Sequence, residues 1–447
     1  MKSGLFYLLT ILAVLQFRGD GYFPFDRNWN AGLLLAIALA HLLVIWGLLA
    51  GLTKVWVGDA EHRPDWAAKL LPWVAPVFSL VVVLGHAMQA SRFTGFGYQW
   101  KPGFLGLLLV VSANLQFLAW RAWKREQTLV ALALSWGGAL ALKLYPLWAY
   151  PVTAKRSDML PIIFEAGQAW LAGQPVYQYF LLDNGISTQM VRLPGMIAVF
   201  LPAVGLGLDL RWVLLLFESG LALALAWAIA QMAPAKRPSF ALLWLALAYL
   251  PYWHMRHELY EVPFWLLLLL AVFWLRQGRL WAGAAVLGYL AGMHQWAWIL
   301  APYLGLYLWR KEGPRRSLLA GCLAAAVGFL VLAAGVQGDW ASWQHHIFSY
   351  YDQFLASGKP YPMALYWTAL LSQFGGLSLL KPIQVAGLLG LLLWSMKRPA
   401  ALEEALFASG LALSWMLAFN AVAWTYQYLL VVFLLSLAWG FRSSRPD

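Results

Sequence analysis

Residues 128–150 read TLVALALSWGGALALKLYPLWAY, and residues 151–158 continue as PVTAKRSD. The first segment carries one charged side chain, Lys143. It is long enough to cross a bilayer as a helix, which takes about 20 apolar residues. The second segment is polar and ends in an acid, Asp158. An apolar span that opens into a polar, charged loop predicts a helical membrane protein.

The whole chain repeats this pattern. Of its 447 residues, 62% are hydrophobic and 11% are charged, whereas about a quarter of the residues in soluble domains are charged. We therefore predict an all-α fold: a polytopic integral membrane protein with about 14 transmembrane helices. The stretch 192–206 is short and contains Pro and Gly, so it is expected to lie against the outer surface or to re-enter the membrane. The predicted spans are 4–17, 31–53, 70–89, 103–120, 128–150, 207–232, 239–255, 262–275, 280–293, 296–309, 317–336, 383–396, 405–421 and 424–440.

The basic residues predict the orientation. They stand at the ends of the apolar segments, and a chain that alternates from a cytoplasmic N-terminus keeps 19 of its 31 Lys and Arg residues in cytoplasmic turns. Both termini are then cytoplasmic, with an uncleaved first helix, and the protein is expected in the plasma or inner membrane. The net charge of +12 is accounted for by these topology signals, so no nucleic-acid partner is predicted.

This orientation puts two long polar loops outside the cytoplasm, 151–191 and 337–382, together with the turn 254–261. Long loops in compact proteins are usually functional. Within the first loop, apolar residues recur at helical spacing, which predicts a helix lying in the membrane interface. These residues are Leu160, Ile163, Phe164, Gly167, Trp170 and Leu171.

The acid at the start of this loop is the first candidate for catalysis. Asp158 follows Lys155 and Arg156. A carboxylate at the membrane surface can take a proton from an acceptor hydroxyl while neighbouring cations hold a phosphate. The alternative is a solvated loop aspartate with local ion pairs.

The turn 254–261 contains the densest set of polar residues: His254, Arg256, His257, Glu258 and Glu261. Ionisable groups at membrane depth are costly and mark functional sites, although near the interface a solvated turn is the alternative. The order His-x-x-His-Glu differs from the zinc-binding order His-Glu-x-x-His. No metal site is therefore predicted, and a divalent metal is left open.

Four further residues on the outer side are candidates for contact with a sugar, a phosphate or a lipid headgroup: Tyr177, Arg192, His294 and His346. A hydrogen-bonded core histidine is the alternative for His294, and an ordinary aromatic belt is the alternative for the Trp- and Tyr-rich surroundings of His346. Lys143, near the outer end of its span, is expected to extend its ammonium group towards the interface.

Several features follow one another in a fixed order from about residue 128 onward. Asp158 comes after an apolar helix, residues 173–177 read Gly-x-Pro-x-Tyr, and residues 192–194 read Arg-Leu-Pro. Residues 279–288 form a Gly-spaced helix after a basic turn, and residues 420–426 form a terminal Trp/Tyr segment. This order resembles the GT-C superfamily of membrane glycosyltransferases, and within it the polyprenol-phosphate-mannose-dependent mannosyltransferases.

The resemblance implies an inverting transfer of a sugar, possibly mannose, from a polyprenyl-phosphate donor to a hydroxyl of a lipid or glycan acceptor, without a cofactor. It makes Asp158 the catalytic base in a catalytic domain 128–447, with 1–127 as a four-helix extension. The residues expected to bind the donor phosphate are Arg156, Arg192 and Arg256. The residues expected to bind substrate are Tyr177, His254, His257, Glu258, His294 and His346.

The chain departs from the family pattern at two places. Residues 256–259 read Arg-His-Glu-Leu where the family often has Gly-Gln-x-Asn, and residues 294–297 read His-Gln-Trp-Ala in place of Lys-x-x-Pro. Two other functions stay open. In a transporter or flippase, His254, His257 and Glu258 would relay protons or bind the solute, although the predicted spans hold few charges for this purpose. A ligase moving glycans from a lipid diphosphate would use outer Arg and His residues.

Overall fold

The structure is a computed structural model, and its helices form two compact units. One unit contains residues 63–294 and 324–343, and the other contains 295–323 and the chain from 344 onward. The residues that the structure describes are 73, 77, 79, 99, 101–155, 157–232, 234, 237–249, 261–349, 368, 371, 374–420 and 427–443.

Eight of the described helices lie wholly in the first unit: α1 Pro102–Lys124, α2 Thr128–Ala149, α3 Met159–Leu171, α4 Pro194–Gly205, α5 Arg211–Ala230, α6 Arg237–Tyr249, α7 Val262–Arg276 and α8 Leu280–Ala291. After these come α9 Trp296–Glu312, α10 Pro314–Val336, α11 Trp340–Gln344, α12 Leu380–Met396, α13 Leu402–Ala418 and α14 Tyr428–Ser443. A π-helical turn covers His345–Ser349, and a 3-10 turn covers Gly376–Leu379.

The helices agree with a membrane protein. Among the described residues, five helices are long and apolar enough to cross a bilayer: α1, α2, α5, α10 and the helical segment Gly376–Met396. The helices α4, α7 and α8 are apolar but shorter. The all-α membrane character is thus supported, while the number of 14 spans stays a prediction. The predicted spans 4–17 and 31–53, and most of 70–89, lie outside the described residues.

The first unit is built around α2, which packs on α1, α5 and α6, while α7 pairs with α8. Glycines let helices approach closely, as is typical of membrane helix interfaces. A Cβ atom at Gly288 of α8 would meet the backbone of Ala324 in α10, and one at Gly335 would meet the ring of Pro194. The domain boundary predicted between residues 127 and 128 separates α1 from α2. These two helices pack on each other within the same unit.

A buried ion pair joins two of the candidate spanning helices of this unit. Lys143 Nζ of α2 donates to Glu218 Oε2 of α5 at 2.8 Å, and both side chains are buried. The ammonium group also lies 5.1 Å from the ring centroid of Trp136. The expectation that Lys143 reaches towards the interface is wrong, because a carboxylate on the neighbouring helix neutralises it in place.

A small β-hairpin interrupts the helices of the first unit. Its strands are β1 Tyr179–Leu181 and β2 Ser187–Gln189, paired antiparallel with Leu181 opposite Ser187. Gly185 has φ +76, and its N–H donates to the carbonyl of Leu182 at 2.9 Å. The Asn-Gly pair in this turn is a strong hairpin signal that the helical interpretation of the loop overlooked.

The second unit has a helical core of its own. Helix α13 is buried along nearly all of its length and packs on α9, α12 and α14. Tyr303 of α9 donates its hydroxyl hydrogen to the carbonyl of Leu388 in α12 at 3.0 Å. This interhelical bond satisfies a polar group that would otherwise be costly among apolar side chains.

Candidate active site

Helix α3 forms where the spacing of apolar residues predicts it, and its apolar residues Leu160, Ile163 and Gly167 are buried. The helix ends in a Schellman motif. The N–H of Gln174 donates to the carbonyl of Ala169 at 2.8 Å, and Gly173, with φ +68, takes the left-handed position. The glycine of the Gly-x-Pro-x-Tyr sequence thus ends α3 and turns the chain towards Tyr177.

The loop that leads into α3 is fixed at its beginning by Arg211, the first residue of α5. Its Nη1 donates to the carbonyls of Pro146 and Tyr150 at 2.9 and 2.8 Å. These carbonyls belong to the end of α2, where a positive charge is favourable. The guanidinium also pairs with Asp209, with Nη2 2.6 Å from Oδ2. The sequence reasoning did not single out Arg211.

The β-hairpin fixes the middle of the same loop. Thr153 Oγ1 donates to the Asp183 carboxylate at 2.5 Å, and the N–H of Ala154 donates to it at 2.8 Å. Asn184 Nδ2 donates to the carbonyl of Ala154 at 3.0 Å. The hairpin therefore holds the backbone four residues before Asp158.

Asp158 lies at the N-terminal end of α3. Its backbone carbonyl accepts the N–H of Ile162 at 2.9 Å, but its carboxylate makes no capping bond to the helix. It also forms no ion pair with any described residue. Although the side chain is exposed, the protein around it removes part of its hydration, and this desolvation raises the pKa of the carboxyl group. A hydrogen bond from its own backbone N–H, and then the charge of Arg192, oppose the rise in the pKa.

Tyr177 and Arg192 are held together by one hydrogen bond. The Tyr177 side chain is buried, and its hydroxyl donates to the backbone carbonyl of Arg192 at 2.8 Å. Burial raises the pKa of Tyr177 well above its ordinary value, so the hydroxyl stays protonated and remains a donor. This contact gives Tyr177 a role in positioning Arg192.

The end of α8 brings His294 to the same region. The N–H of Gly195, near the start of α4, donates to the carbonyl of Gly292 at 2.8 Å, and the Tyr289 hydroxyl donates to the carbonyl of Gly195 at 3.0 Å. Burial, and then the charge of Arg192, lower the pKa of His294 well below its ordinary value. The buried imidazole, with its ring centroid 5.7 Å from that of Phe264, is uncharged at neutral pH.

Four predicted site residues thus belong to one compact unit: Asp158, Tyr177, Arg192 and His294. The charge of Arg192 acts on both Asp158 and His294. A partly desolvated carboxylate, a guanidinium and a neutral imidazole can take up a proton, hold a phosphate oxygen and hydrogen-bond a hydroxyl group.

The other predicted site residues either belong to the second unit or lie outside the described residues. His346 is buried in the π-helical turn and belongs to the other unit. Glu261, the last residue of the predicted polar turn, is buried at the start of α7. Among the described residues, no three His, Cys, Asp or Glu side chains are grouped so as to hold a metal ion. The predicted site residues that lie outside the described residues are Arg156, His254, Arg256, His257 and Glu258.

Comparison with known proteins finds no relative of this chain. No family model, no curated protein and no solved structure matches the chain. The functional interpretation therefore depends on the residues and contacts described above.

Proposed function

We propose that the protein is an inverting glycosyltransferase that moves a sugar from a polyprenyl-phosphate donor to a hydroxyl group of a lipid or glycan at the outer face of the membrane. The observation that carries this proposal is the relation of Asp158 to Arg192. A carboxylate without an ion pair among the described residues, and with a raised pKa, lies within the electrostatic influence of a guanidinium that also acts on His294.

Each of these residues has a part in the proposed reaction. The carboxylate of Asp158 takes the proton of the acceptor hydroxyl as the acceptor oxygen forms a bond to the anomeric carbon. The bond between that carbon and the phosphate oxygen breaks, and the electron pair leaves with the polyprenyl phosphate. Arg192 stabilises the negative charge that develops on this leaving phosphate. Attack opposite the leaving group inverts the anomeric carbon.

The neutral His294 suits a sugar ligand better than an anion. An uncharged imidazole offers one donor and one acceptor nitrogen. It can therefore hydrogen-bond a sugar hydroxyl without adding a second positive charge beside Arg192. Tyr177 supports the site indirectly, because its hydroxyl fixes the backbone of Arg192.

A panel of donors tests this function against the ligase alternative. Purified wild-type protein in lipid is given radiolabelled polyprenyl-phosphate sugars, nucleotide sugars and lipid-diphosphate glycans, each with a membrane-lipid extract as acceptor. We expect transfer from a polyprenyl-phosphate sugar and none from the nucleotide sugars. Transfer from lipid-diphosphate glycans alone would support the ligase and overturn the proposal.

The pair Lys143–Glu218 favours a second candidate, a transporter. Ionisable residues buried within the membrane are functional candidates by default, and these two are buried in α2 and α5. Uptake of protons or labelled sugars into proteoliposomes, measured for wild type and for Glu218→Gln, tests this alternative. Uptake that depends on Glu218 would support it, and its absence in an intact wild-type protein would reject it.

A further inference from the structure

A cavity of about 590 Å³ lies in the first unit, and its lining does not include Asp158, Arg192 or His294. It opens between the end of α2, one side of α3, the β-hairpin and the connection between α4 and α5. The polar and aromatic residues that decide its chemistry are Trp148, Phe164, Glu165, Asp183, Asp209 and Arg211.

Most charged groups of the cavity wall are already engaged. Asp183 accepts hydrogen bonds from Thr153 and Ala154, and Asp209 is paired with Arg211. The carboxylate of Glu165 is different. It is half-buried and has no hydrogen bond or ion pair with any described residue. One wall of the cavity therefore offers two carboxylate oxygens that can accept hydrogen bonds from a ligand.

Trp148 supplies an apolar surface at the cavity. Its ring packs edge-on against Phe104 at a centroid distance of 6.3 Å, which fixes its orientation, while 60% of the residue stays exposed. Phe164 and Pro161 add further apolar lining from α3. Aromatic and apolar walls with a few fixed polar groups are typical of small-molecule sites. Such a ring face can pack on the C–H face of a sugar ring, whose hydroxyl groups then point to the polar wall.

The charges of the lining exclude a phosphate ligand. Three carboxylates face a single guanidinium. The Nε and Nη2 of Arg211 bind Asp209, and its Nη1 binds backbone carbonyls. An anion would meet a negative potential and would find no free guanidinium donor. An uncharged ligand rich in hydroxyl groups fits both the unused acceptors of Glu165 and the exposed face of Trp148.

We infer that this cavity binds an uncharged sugar unit of the acceptor glycan. The inference rests on the proposed glycosyltransferase function and names the class of its acceptor. Asp158 and Glu165 stand at the start and in the middle of the same helix, α3. Seven residues of helix separate them by about 10 Å along the axis. An oligosaccharide acceptor can therefore occupy the cavity with one unit while another unit offers its hydroxyl group to Asp158.

Binding of disaccharides to the purified full chain tests the inference without requiring transfer. Titration calorimetry with mannobiose, cellobiose and maltose is compared with titration with inorganic phosphate and with choline. We expect at least one disaccharide to bind wild type, and Glu165→Gln and Trp148→Ala each to weaken that binding by about tenfold or more. Phosphate is expected not to bind at this cavity.

Two matched variants serve as controls. Glu126→Gln changes an exposed carboxylate between α1 and α2, and Trp309→Ala removes an exposed tryptophan from α9. Neither should change disaccharide affinity. Thermal unfolding shows whether each variant is folded, and Trp148→Phe, which keeps an aromatic face, should retain more affinity than Trp148→Ala. The inference would be overturned if none of the three disaccharides bound, or if Glu165→Gln and Trp148→Ala kept the wild-type affinity. Binding of choline or phosphate that Glu165→Gln removes would also overturn it.

The substitution Asp158→Asn separates this inference from the proposed function. If both hold, the variant loses transfer and keeps disaccharide binding. If the variant still transfers sugar while disaccharide binding depends on Glu165, the catalytic proposal fails and the cavity assignment stands. If transfer is lost in the variant but no disaccharide binds wild type, only the cavity assignment fails.

Discussion

Arg192 connects the two titratable groups of the candidate site, because its charge lowers the pKa of both Asp158 and His294, where desolvation has the larger effect. A catalytic base must be ionised, so transfer should fall as the pH drops through the raised pKa of Asp158. Replacing Arg192 by Gln removes a charge that stabilises the carboxylate, which raises this pKa further. We predict that the acidic limb of the pH–activity profile moves to higher pH in Arg192→Gln.

The control for this prediction is Arg192→Lys, which keeps the positive charge and should leave the acidic limb close to its wild-type position. The profiles are measured as kcat/KM for transfer, since that quantity reports ionisations of the free enzyme. An acidic limb that stays in place in Arg192→Gln, or moves to lower pH, would show that Arg192 does not act on the base.

At this scale the sequence was informative where polar residues lie close to the end of an apolar segment. Asp158, Tyr177, Arg192 and His294 were singled out from such places, and all four belong to one unit, while their roles stay a prediction. Glu165 and Arg211 were not recognised, because each lies in an ordinary helical pattern. The importance of Arg211 comes from partners distant in the chain, the carbonyls of Pro146 and Tyr150, and that of Glu165 comes from its place in the cavity wall. Periodicity carries no information about either.

At the scale of helices, the close approach of α10 to the start of α4 supports the site. A Cβ atom at Gly335 would collide with the Pro194 ring and the Trp170 side chain. Because Pro194 follows Arg192 by two residues, Gly335→Ala should displace the start of α4. Overpacking of this kind costs about 1–3 kcal/mol. We predict a lower melting temperature and reduced transfer for Gly335→Ala.

Helix α10 itself provides the control for this prediction. Gly321 has no atom within 4 Å of a Cβ added there. Gly321→Ala should therefore leave transfer unchanged and keep or slightly increase stability, because alanine favours helix more than glycine does. Equal effects of the two substitutions would indicate that the change acts through helix propensity and not through the contact with Pro194.

The ion pair between α2 and α5 leads to a second prediction for these helices. Lys143→Met leaves the carboxylate of Glu218 buried without its cation, and breaking a buried pair in this way costs about 3–5 kcal/mol. The double variant Lys143→Met with Glu218→Leu removes both charges and should recover most of that loss. The free energy of unfolding in mixed micelles measures both. A double variant as unstable as the single one would mean that the pair is not what stabilises this interface.

Helices were more predictable than the hairpin. The apolar segments from 103 to 150 and from 262 to 336 were predicted from composition alone, and the structure has helices there. The ends shifted by a few residues, for example to Pro314 for α10, because a proline suits the first helical turn. The strands Tyr179–Leu181 and Ser187–Gln189 are three residues each. In strands this short, too few residues alternate between apolar and polar for the sequence pattern to be distinguished from that of a helix.

For the whole molecule, the orientation predicted from Lys and Arg can be measured by chemical labelling. Cys322 is the only cysteine of the chain, so Cys322→Ser gives a cysteine-free background. Lys155 and Glu126 are exposed and lie beyond opposite ends of α2. In intact cells, a membrane-impermeant maleimide should label Lys155→Cys and should label Glu126→Cys only after the membrane is opened. The reverse pattern would place Asp158 in the cytoplasm and contradict the outer site.

The division of the chain into units was not predictable from the sequence. Residues 324–343 belong with 63–294 even though 295–323 intervene. Contacts such as that between Gly288 and Ala324 join helices that local composition cannot relate. Apolar segments indicate where helices form. They do not indicate which helices pack together, because almost any pair of apolar helix surfaces can pack in lipid. The choice among these pairings depends on small residues and on single polar contacts such as Lys143 with Glu218.

The most direct test of the account is sugar transfer by Asp158→Asn. The substitution keeps the shape of the side chain and removes its basicity. In purified, folded protein supplied with the polyprenyl-phosphate sugar that wild type uses, we predict that transfer falls by at least about 100-fold, while Glu126→Gln retains wild-type transfer. Undiminished transfer by folded Asp158→Asn would contradict the assignment of Asp158 as the base.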